Sequence, residues 1–546
     1  MIRFIPKNLL PYYAVVFVFS MFINILSLFS MLHFYLILTK VIPSGNVASL
    51  IFITVLVLIA MAVMSLLEGV RSRLLSRLSN QLDRHMGGTV IQAMFSRKNE
   101  QEYDQGTTDL QKIRRFLSGN GIVAFFDLPW LPLFLAAVYV LHPTLGIVAT
   151  IGAALLLLLL VLNERISSRA VADFSQSSPQ SDSFLDLAQR NVQTIYSMGM
   201  LPTITNRWKK LHSVDLALET RVHKRIAVSS SSNKALSLIL GLIMYSFGAM
   251  LVIANQITIG AMIVARIIMG RALMPLNSML AGWKDFQEAR LATNRLHSAI
   301  ARSEEQISPP EAIRSEGPSG LAVHDLSVSF DGIQVLQHIS FELAPGQVLA
   351  IQGESGAGKT TLIRTIAGLY TPDQGSVSLD GIDLVAAQDA RIRQKYLGYQ
   401  PQNVDLQSVT VAQNIGRLET DNSEAVIEAA KLAGAHEMIL RLPQGYDTKI
   451  SPKGANLSAG QRQRIALARA LYKTPRLVLL DEPDANLDEE GHQALAQAVT
   501  ELKSRKCIIL VVTHHSWITE IQDQELNLDS GSGEMLKKSR LPDTIP

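Results

Sequence analysis

Cysteine is almost absent from this 546-residue chain; Cys507 is the only one. A single thiol cannot build a disulfide framework, and it excludes a cysteine-based metal site. It lies in the apolar run Cys507-Ile508-Ile509-Leu510-Val511-Val512, so a buried, inert thiol is expected. An excess of either charge is missing too. Fifty Lys and Arg against 47 Asp and Glu leave a net charge of +3, too little to imply a nucleic-acid partner. Low-complexity sequence is confined to Ser229-Ser230-Ser231-Ser232, which receives no role. Long apolar runs are missing from the second half of the chain and crowd the first. A membrane domain followed by a soluble domain is the reading, each large enough for its own core.

The first half holds six apolar stretches of membrane-crossing length, near residues 12–38, 48–69, 121–141, 144–163, 235–255 and 257–280. The third carries Pro129 and Pro132. The N-terminal Met1-Ile2-Arg3-Phe4-Ile5-Pro6-Lys7 is weakly basic and leads into apolar residues, as a signal peptide does. The run from Leu10 to Leu38 is too long for one, and no small-residue cleavage site ends it, so a retained first span is expected.

Short loops join spans one to two, three to four and five to six; long basic segments join two to three and four to five. The first long segment carries Arg71, Arg73, Arg77, Arg84, Arg97, Lys98 and Arg114 among others; the second carries Arg165, Arg169, Arg207, Lys209, Lys210, Arg221 and Lys224 among others. Lys40 is the exception in the short loops. The positive-inside rule then places the long segments and both termini in the cytoplasm. Leu74, Leu75, Leu78 and Leu82 recur at helical spacing, so span two is expected to continue as a helix well past the membrane; Phe184 to Met198 reads the same way. Asp127, Arg266 and Arg271 are ionisable residues inside spans. They line a polar pathway, or else Asp127 caps a broken helix near the interface and the arginines snorkel or pair.

The stretch Ser303 to Gly320, with Pro309-Pro310 and Gly317-Pro318-Ser319-Gly320, has linker composition. The expected division is residues 1–305 as the membrane domain, 306–320 as linker and 321–546 as the soluble domain.

The soluble half is organised around Gly353-Glu354-Ser355-Gly356-Ala357-Gly358-Lys359-Thr360-Thr361, which fits the phosphate-cradling (Walker A) pattern G-x-x-x-x-G-K-[ST]. An apolar strand, Val348 to Ile351, precedes it, and Leu362 to Leu369 follows at helical spacing. Glycines admit phosphate close to backbone N–H groups, and the helix N-terminus adds partial positive charge. The pattern assigns Gly353, Ser355, Gly356, Gly358, Lys359, Thr360 and Thr361 to ATP, with Lys359 on the β/γ-phosphates and Thr360 on Mg²⁺. Leu326 to Phe330 and Ile339 to Leu343 alternate as strands before it. Further on, the apolar run Leu477-Val478-Leu479-Leu480 ends in Asp481-Glu482. Asp481 is placed to hold Mg²⁺ through water, and Glu482 to orient and polarise the attacking water.

Between these motifs lies Leu457-Ser458-Ala459-Gly460-Gln461-Arg462-Gln463-Arg464. Here the sequence resembles the ATP-binding-cassette superfamily, whose signature is L-S-G-G-Q. The resemblance implies an α-helical six-span exporter-type membrane domain followed by an α/β P-loop nucleotide-binding domain. It implies that Gln402 senses Mg²⁺, that Ala485-Asn486-Leu487-Asp488 is the D-loop, that His514 contacts the γ-phosphate, and that Phe330 stacks on adenine, with core packing a rival for Phe330. It further implies a homodimer, in which Ser458, Gly460 and Gln461 of one protomer complete the site built on Lys359 and Glu482 of its partner.

A narrower resemblance runs through Asp127-Leu128-Pro129-Trp130, His142-Pro143, Met198-Gly199-Met200, Arg207-Trp208, Gly270-Arg271-Ala272-Leu273 with Pro275 and Trp283, and Pro443-Gln444-Gly445-Tyr446-Asp447-Thr448. These look like the type I secretion ATPases that export metalloproteases and haem-binding proteins. That implies a bacterial inner-membrane location, polypeptide substrates with an uncleaved C-terminal signal, a periplasmic adaptor and an outer-membrane channel. With no room for a peptidase domain before Leu10, leader cleavage is not expected. Two departures bear on turnover and coupling: Ala459 replaces the second signature residue, normally glycine, and Pro452 stands where exporters usually carry glutamate. Two alternatives stay open: an exporter of lipid, drug or small peptide, and a membrane regulator that uses ATP as a binding switch.

Overall fold

The structure, a computed structural model, describes residues 9–95, 105–307, 319–330, 332–385, 390–419, 421–451, 454–529 and 531–537. The chain divides into two units, Met1–Ser303 and Glu304–Pro546. Most of the expected linker, residues 308–318, lies outside the described residues, as do Pro452 and the basic Arg97 and Lys98.

The first unit is helical: α1 Leu10–Leu36, α2 Val47–Met94, α3 Gly106–Ser118, α4 Asn120–Asp127, α5 Leu131–Leu141, α6 Pro143–Arg190, α7 Leu201–Ile253, α8 Ile259–Ala281 and α9 Trp283–Ile307. Six segments among the described residues are long and apolar enough to cross a membrane, near the six stretches read from sequence. Phe52, Leu58 and Leu66 stay exposed, as lipid-facing side chains do.

α2 is one helix of 48 residues, about 72 Å at 1.5 Å per residue. Asn46 caps it by accepting from Ser49 N at 3.0 Å. Past the apolar part its leucine stripe is buried: Leu75, Leu78 and Leu82 pack on Ile113 and Phe116 of α3 and on Ala292 and Leu296 of α9. The second expected continuation is interrupted. α6 stops at Arg190, a short helix Val192–Ser197 follows, and Gly199 turns the chain at φ +62°. The third span is broken as its prolines require: α4 ends at Asp127, Leu128–Trp130 is a 3-10 turn, and α5 resumes at Leu131.

Asp127 has a role that neither reading of it foresaw. It makes no capping hydrogen bond. Its Oδ1 instead accepts from Arg71 Nη1 at 2.9 Å and from Asn24 Nδ2 at 3.2 Å, while the same Arg71 nitrogen donates to Ser20 Oγ at 3.0 Å. Arg71, grouped above with the cytoplasmic charges, is thus a buried tie between α2, α1 and α4.

The second unit carries two sheets. β1 Leu321–Phe330, β2 Ile333–Leu343, β4 Gln374–Leu379 and β5 Ile382–Asp383 form an antiparallel sheet in the order β2-β1-β4-β5. β3 Val348–Gly353, β6 Leu397–Gln400, β7 Leu477–Asp481, β8 Ile508–Val512, β9 Gln524–Asp529 and β10 Ser532–Lys537 form the other, ordered β10-β9-β3-β8-β7-β6. Its first five neighbours from the β6 side run parallel; β10 is antiparallel to β9. β7 and β8 are buried along their whole length, which is why they read as unbroken apolar runs. Cys507 is buried beside β8, and burial pushes its thiol up, away from the reactive thiolate. The sheet packs on α10 Lys359–Ile366 and the antiparallel sheet on one side, and on α11 Ala459–Leu471 and α12 Glu489–Ser504 on the other.

Candidate nucleotide site

Strand order builds the site. β8 lies between β3 and β7, with Ile351 and Asp481 both in register with Val512. Three parallel strands therefore deliver their carboxyl ends to one sheet edge, where α/β folds bind ligands. β3 delivers the glycine loop, β7 delivers Asp481-Glu482, and β8 delivers Thr513-His514.

Glycine is required twice in the loop. At Gly353 (φ +140°) a Cβ would lie 2.2 Å from the Leu528 carbonyl oxygen; at Gly358 (φ +96°) it would lie 3.0 Å from that of Val335. Gly358 caps α10, so Lys359, Thr360 and Thr361 form its first turn with free N–H groups. Gly356 is also at positive φ, and Ser355 is exposed beside it. Lys359 is buried, and its Nζ donates to the loop's own carbonyls, Gly353 O at 2.7 Å and Glu354 O at 2.8 Å. The ammonium is held inside the loop by weak neutral acceptors, ready to exchange them for an anion.

Thr360 Oγ1 donates to Asp481 Oδ1 at 3.2 Å. Asp481 is fully buried, and its Oδ2 has no hydrogen-bond partner among the described residues. Burial pushes its carboxyl up from the usual range, the Thr360 hydrogen bond opposes that, and the Glu482 charge adds to it. A hydroxyl and a buried carboxylate with a free oxygen fit a hard, oxygen-seeking divalent cation.

Glu482 sits at φ +50°, strained for a non-glycine residue. Its N–H donates to Val512 O at 3.0 Å, and its carbonyl accepts from Gln463 Nε2 at 3.3 Å. Its carboxylate accepts from Gln402 Nε2 at 2.8 Å. The structure thus joins two residues that the sequence could only name separately. His514 is exposed at the end of β8, and among the described residues none hydrogen-bonds its ring.

The signature residues are spent locally. Ser458 caps α11 in a reciprocal box with Gln461: Gln461 N donates to Ser458 Oγ at 3.2 Å and Ser458 N to Gln461 Oε1 at 2.9 Å. Ala459 opens the helix and is exposed. A Cβ on Gly460 would lie 3.1 Å from Asn486 O, so the signature turn packs against the D-loop. Asp488 caps α12 through Gly491 N at 2.9 Å and pairs with Arg464 at 2.6 Å; both hold its carboxyl below the usual range. Among the described residues no hydrogen bond links Ser458, Gln461 or Asp488 to the phosphate loop. Phe330 is 41% exposed and meets Tyr370 edge-on at 5.0 Å, so it is not a core residue.

Sequence reading missed a supporting layer. Asp484 is buried and accepts from Thr513 Oγ1 and from Trp517 Nε1 (2.8 Å), tying the turn after Glu482 to the strand end that carries His514. Arg364 donates to the Tyr370 hydroxyl at 3.1 Å and lies close enough to Asp481 to favour its charged form. Asp484 stands two residues past the recognised carboxylates; that proximity was the only signal for it.

A phosphate loop and a carboxylate pair on the two strand ends that flank β8, in a chain whose other unit holds six membrane-length helices, define an ATP-driven membrane transporter. The family profile described as "ABC transporter" matches residues 336–485, and the one described as "ABC transporter transmembrane region" matches residues 13–276. The type I secretion system ATP-binding protein PrsD of Rhizobium meliloti is 35% identical over 526 residues, covering 94% of this chain and 89% of that protein. The leukotoxin export ATP-binding protein LtxB of Aggregatibacter actinomycetemcomitans and the cyclolysin secretion/processing ATP-binding protein CyaB of Bordetella pertussis are each 28% identical, covering 94% of this chain and 73% of theirs. The structure of a bacterial Atm1-family ABC exporter with ATP bound superposes at a TM-score of 0.85 and 20% identity, over 97% of this chain and 96% of that one, which establishes the fold. The chain belongs to the ABC transporters, among the exporters that include the type I secretion ATP-binding proteins. It is a multi-pass membrane ATPase whose hydrolysis is coupled to transport.

Proposed function

We propose that the protein is a homodimeric inner-membrane ATPase that drives one-step secretion of polypeptides bearing an uncleaved C-terminal signal. The observation that carries this reading is the similarity to PrsD over nearly the whole of both chains, membrane unit included. A periplasmic adaptor and an outer-membrane channel complete the path in this reading, and the long basic segments, both termini and the ATPase unit face the cytoplasm.

In the catalytic cycle, the N–H groups of the glycine loop and Lys359 hold the phosphates of ATP. Thr360 and Asp481 would hold Mg²⁺, with Gln402 beside them, and the ion would supply positive charge against the phosphates. Glu482, oriented by Gln402, positions and polarises the attacking water. His514 contacts the γ-phosphate, and Phe330 stacks on the base. Ser458, Gly460 and Gln461 serve the partner's nucleotide, which suits their lack of any local link to this protomer's phosphate loop. Closure around ATP and release after hydrolysis are transmitted to the spans by the long helices.

The test is a trap. Glu482→Gln in the full chain binds ATP and barely hydrolyses it, and mass spectrometry identifies what co-purifies. A secreted polypeptide together with an adaptor supports the reading. Lipid or small molecules alone would move the assignment to an exporter of such compounds.

A further inference from the structure

Spans five and six, the apolar end of α7 and the whole of α8, are antiparallel neighbours joined by a short loop. Between residues 230 and 281 the sequence holds no Asp or Glu, yet α8 carries Arg266 and Arg271. Arg266 packs directly on α7. A Cβ on Gly241 would lie 2.5 Å from its Nε and Nη2, and one on Gly270 would lie 3.1 Å from its Nη1. The two glycines therefore form a slot that only a residue without a side chain leaves open. Inside it, Arg266 Nε is buried with no hydrogen-bond partner among the described residues.

The direction of the side chain matters. Gly270 lies one turn beyond Arg266, eleven residues (259 to 270) from the start of α8, or about 16 Å at 1.5 Å per residue. The guanidinium thus runs toward the middle of the span, near the centre of a hydrocarbon layer about 30 Å thick, and does not snorkel back to its nearer end.

The same face of α7 presents Asn233, Ser237 and Gly241 at four-residue spacing. Asn233 Nδ2 donates to Asn277 Oδ1 of α8, closing one end of a polar seam between the spans. Among the described residues, Ser237 Oγ one turn above and the Oδ1 of Asn233 itself are buried with no partner. Among the described residues Arg271 finds only the Met274 thioether, at 3.3 Å, a weak acceptor. Asp127 is already taken by Arg71. Arg266 is half-buried in the span, its Nε is sealed off, and among the described residues no carboxylate is recorded against it, so the seam is built for an anion.

We propose that this seam is a carboxylate-binding site on the export path, with Arg266 as its anchoring cation and the Ser237 hydroxyl as a second donor, engaging acidic side chains or the terminal carboxylate of the passing polypeptide. The inference rests on the polypeptide-export reading. A guanidinium offers paired donors in the geometry a carboxylate accepts. Lipid phosphates lie at the membrane surface, away from the depth that Arg266 reaches.

The test uses the full-length Glu482→Gln protein in neutral phosphatidylcholine nanodiscs, with a fluorescein-labelled 20-residue peptide rich in Asp and its Asn counterpart as probes. Anisotropy is expected to show the acidic peptide binding at least ~10-fold tighter than the Asn peptide, with Arg266→Gln abolishing the difference and Arg266→Lys keeping much of it. Gly241→Ala, which keeps the charge but displaces the guanidinium, is expected to weaken binding partway, and thermal melting of each variant reports its fold. Equal binding of the two peptides, or a preference untouched by Arg266→Gln and Gly241→Ala, overturns the proposal. Displacement of the peptide by phosphatidylglycerol reassigns the seam to lipid headgroups and overturns it too. A trap that captures a secreted polypeptide while peptide binding ignores Arg266 sinks this inference alone; a trap empty of polypeptide sinks both.

Discussion

Gln402 Nε2 donates to Glu482 Oε2 at 2.8 Å across 80 residues of sequence. A residue two positions past β6 thus orients the carboxylate that follows β7, on adjacent parallel strands. Glu482→Gln is expected to lower ATP turnover about 100-fold or more with nucleotide affinity retained, since it removes the group that polarises water. Gln402→Ala is expected to cost less, about 10-fold, because it frees Glu482 without removing it. Steady-state hydrolysis alongside nucleotide-binding titration decides; wild-type turnover in Gln402→Ala would make the contact incidental.

The buried Asp481 makes an opposite pair of effects. Its folded-state pKa is raised by burial, so the folded protein binds this proton more tightly than the unfolded chain does. That contribution is present at low pH and is lost as pH rises from the ordinary carboxylate value through the raised folded one. At neutral pH the charged group penalises the metal-free fold. Asp481→Asn is therefore expected to hold or raise the melting temperature in EDTA while losing the added stability that Mg²⁺ and ATP give the wild type. A fall in both conditions would show that the carboxylate is structural.

Asp380 works in the other sense. Burial pushes its carboxyl up, but the hydrogen bond and charge of Arg476, with the Gly320 N–H, outweigh burial and hold it below the usual range. Its contribution is present above the unfolded carboxylate pKa and is lost as pH falls through the lowered one. Arg476 also donates to Lys506 O at 2.9 Å, so the pair joins the β4–β5 turn of the antiparallel sheet to the parallel sheet. Asp380→Asn is expected to cost about 1 kcal/mol at neutral pH and nothing at strongly acid pH. Melting curves of wild type and variant across that range should converge on the acid side.

In the membrane unit, Asp127→Ala leaves Arg71 buried and uncompensated, at a cost of about 3 kcal/mol or more. Arg71→Met combined with Asp127→Ala is expected to recover most of it, because no bare charge remains. Thermal melting in detergent of the two single variants and the double variant measures the coupling. Additive losses would mean the ion pair contributes nothing beyond its separate side chains.

Motifs carried by local spacing were fully legible. Gly353 to Thr361 sits between a strand and a helix because the apolar run, the glycines and the helical spacing are contiguous, and α2 continues past the membrane because its leucines recur at helical intervals. The break after Asp127 follows from Pro129 and Pro132. Helix ends were harder: the interruption at Asn191 carries no proline or glycine of its own, and the glycine that turns the chain comes only at 199.

Six spans, the phosphate loop and the carboxylate pair were determined by the sequence alone, since each depends on residues within a few positions of one another. Only the tertiary structure decided who meets whom across long separations. It set β8 between β3 and β7, gave Asp127 to Arg71 from 56 residues away, placed Gln402 on Glu482, and left Arg266 in a glycine slot with no counter-ion among the described residues. Periodicity tells a charged residue which face it shares. Whether that face meets a partner, a lipid chain or a vacant donor site depends on the packing of distant segments, which local spacing does not encode.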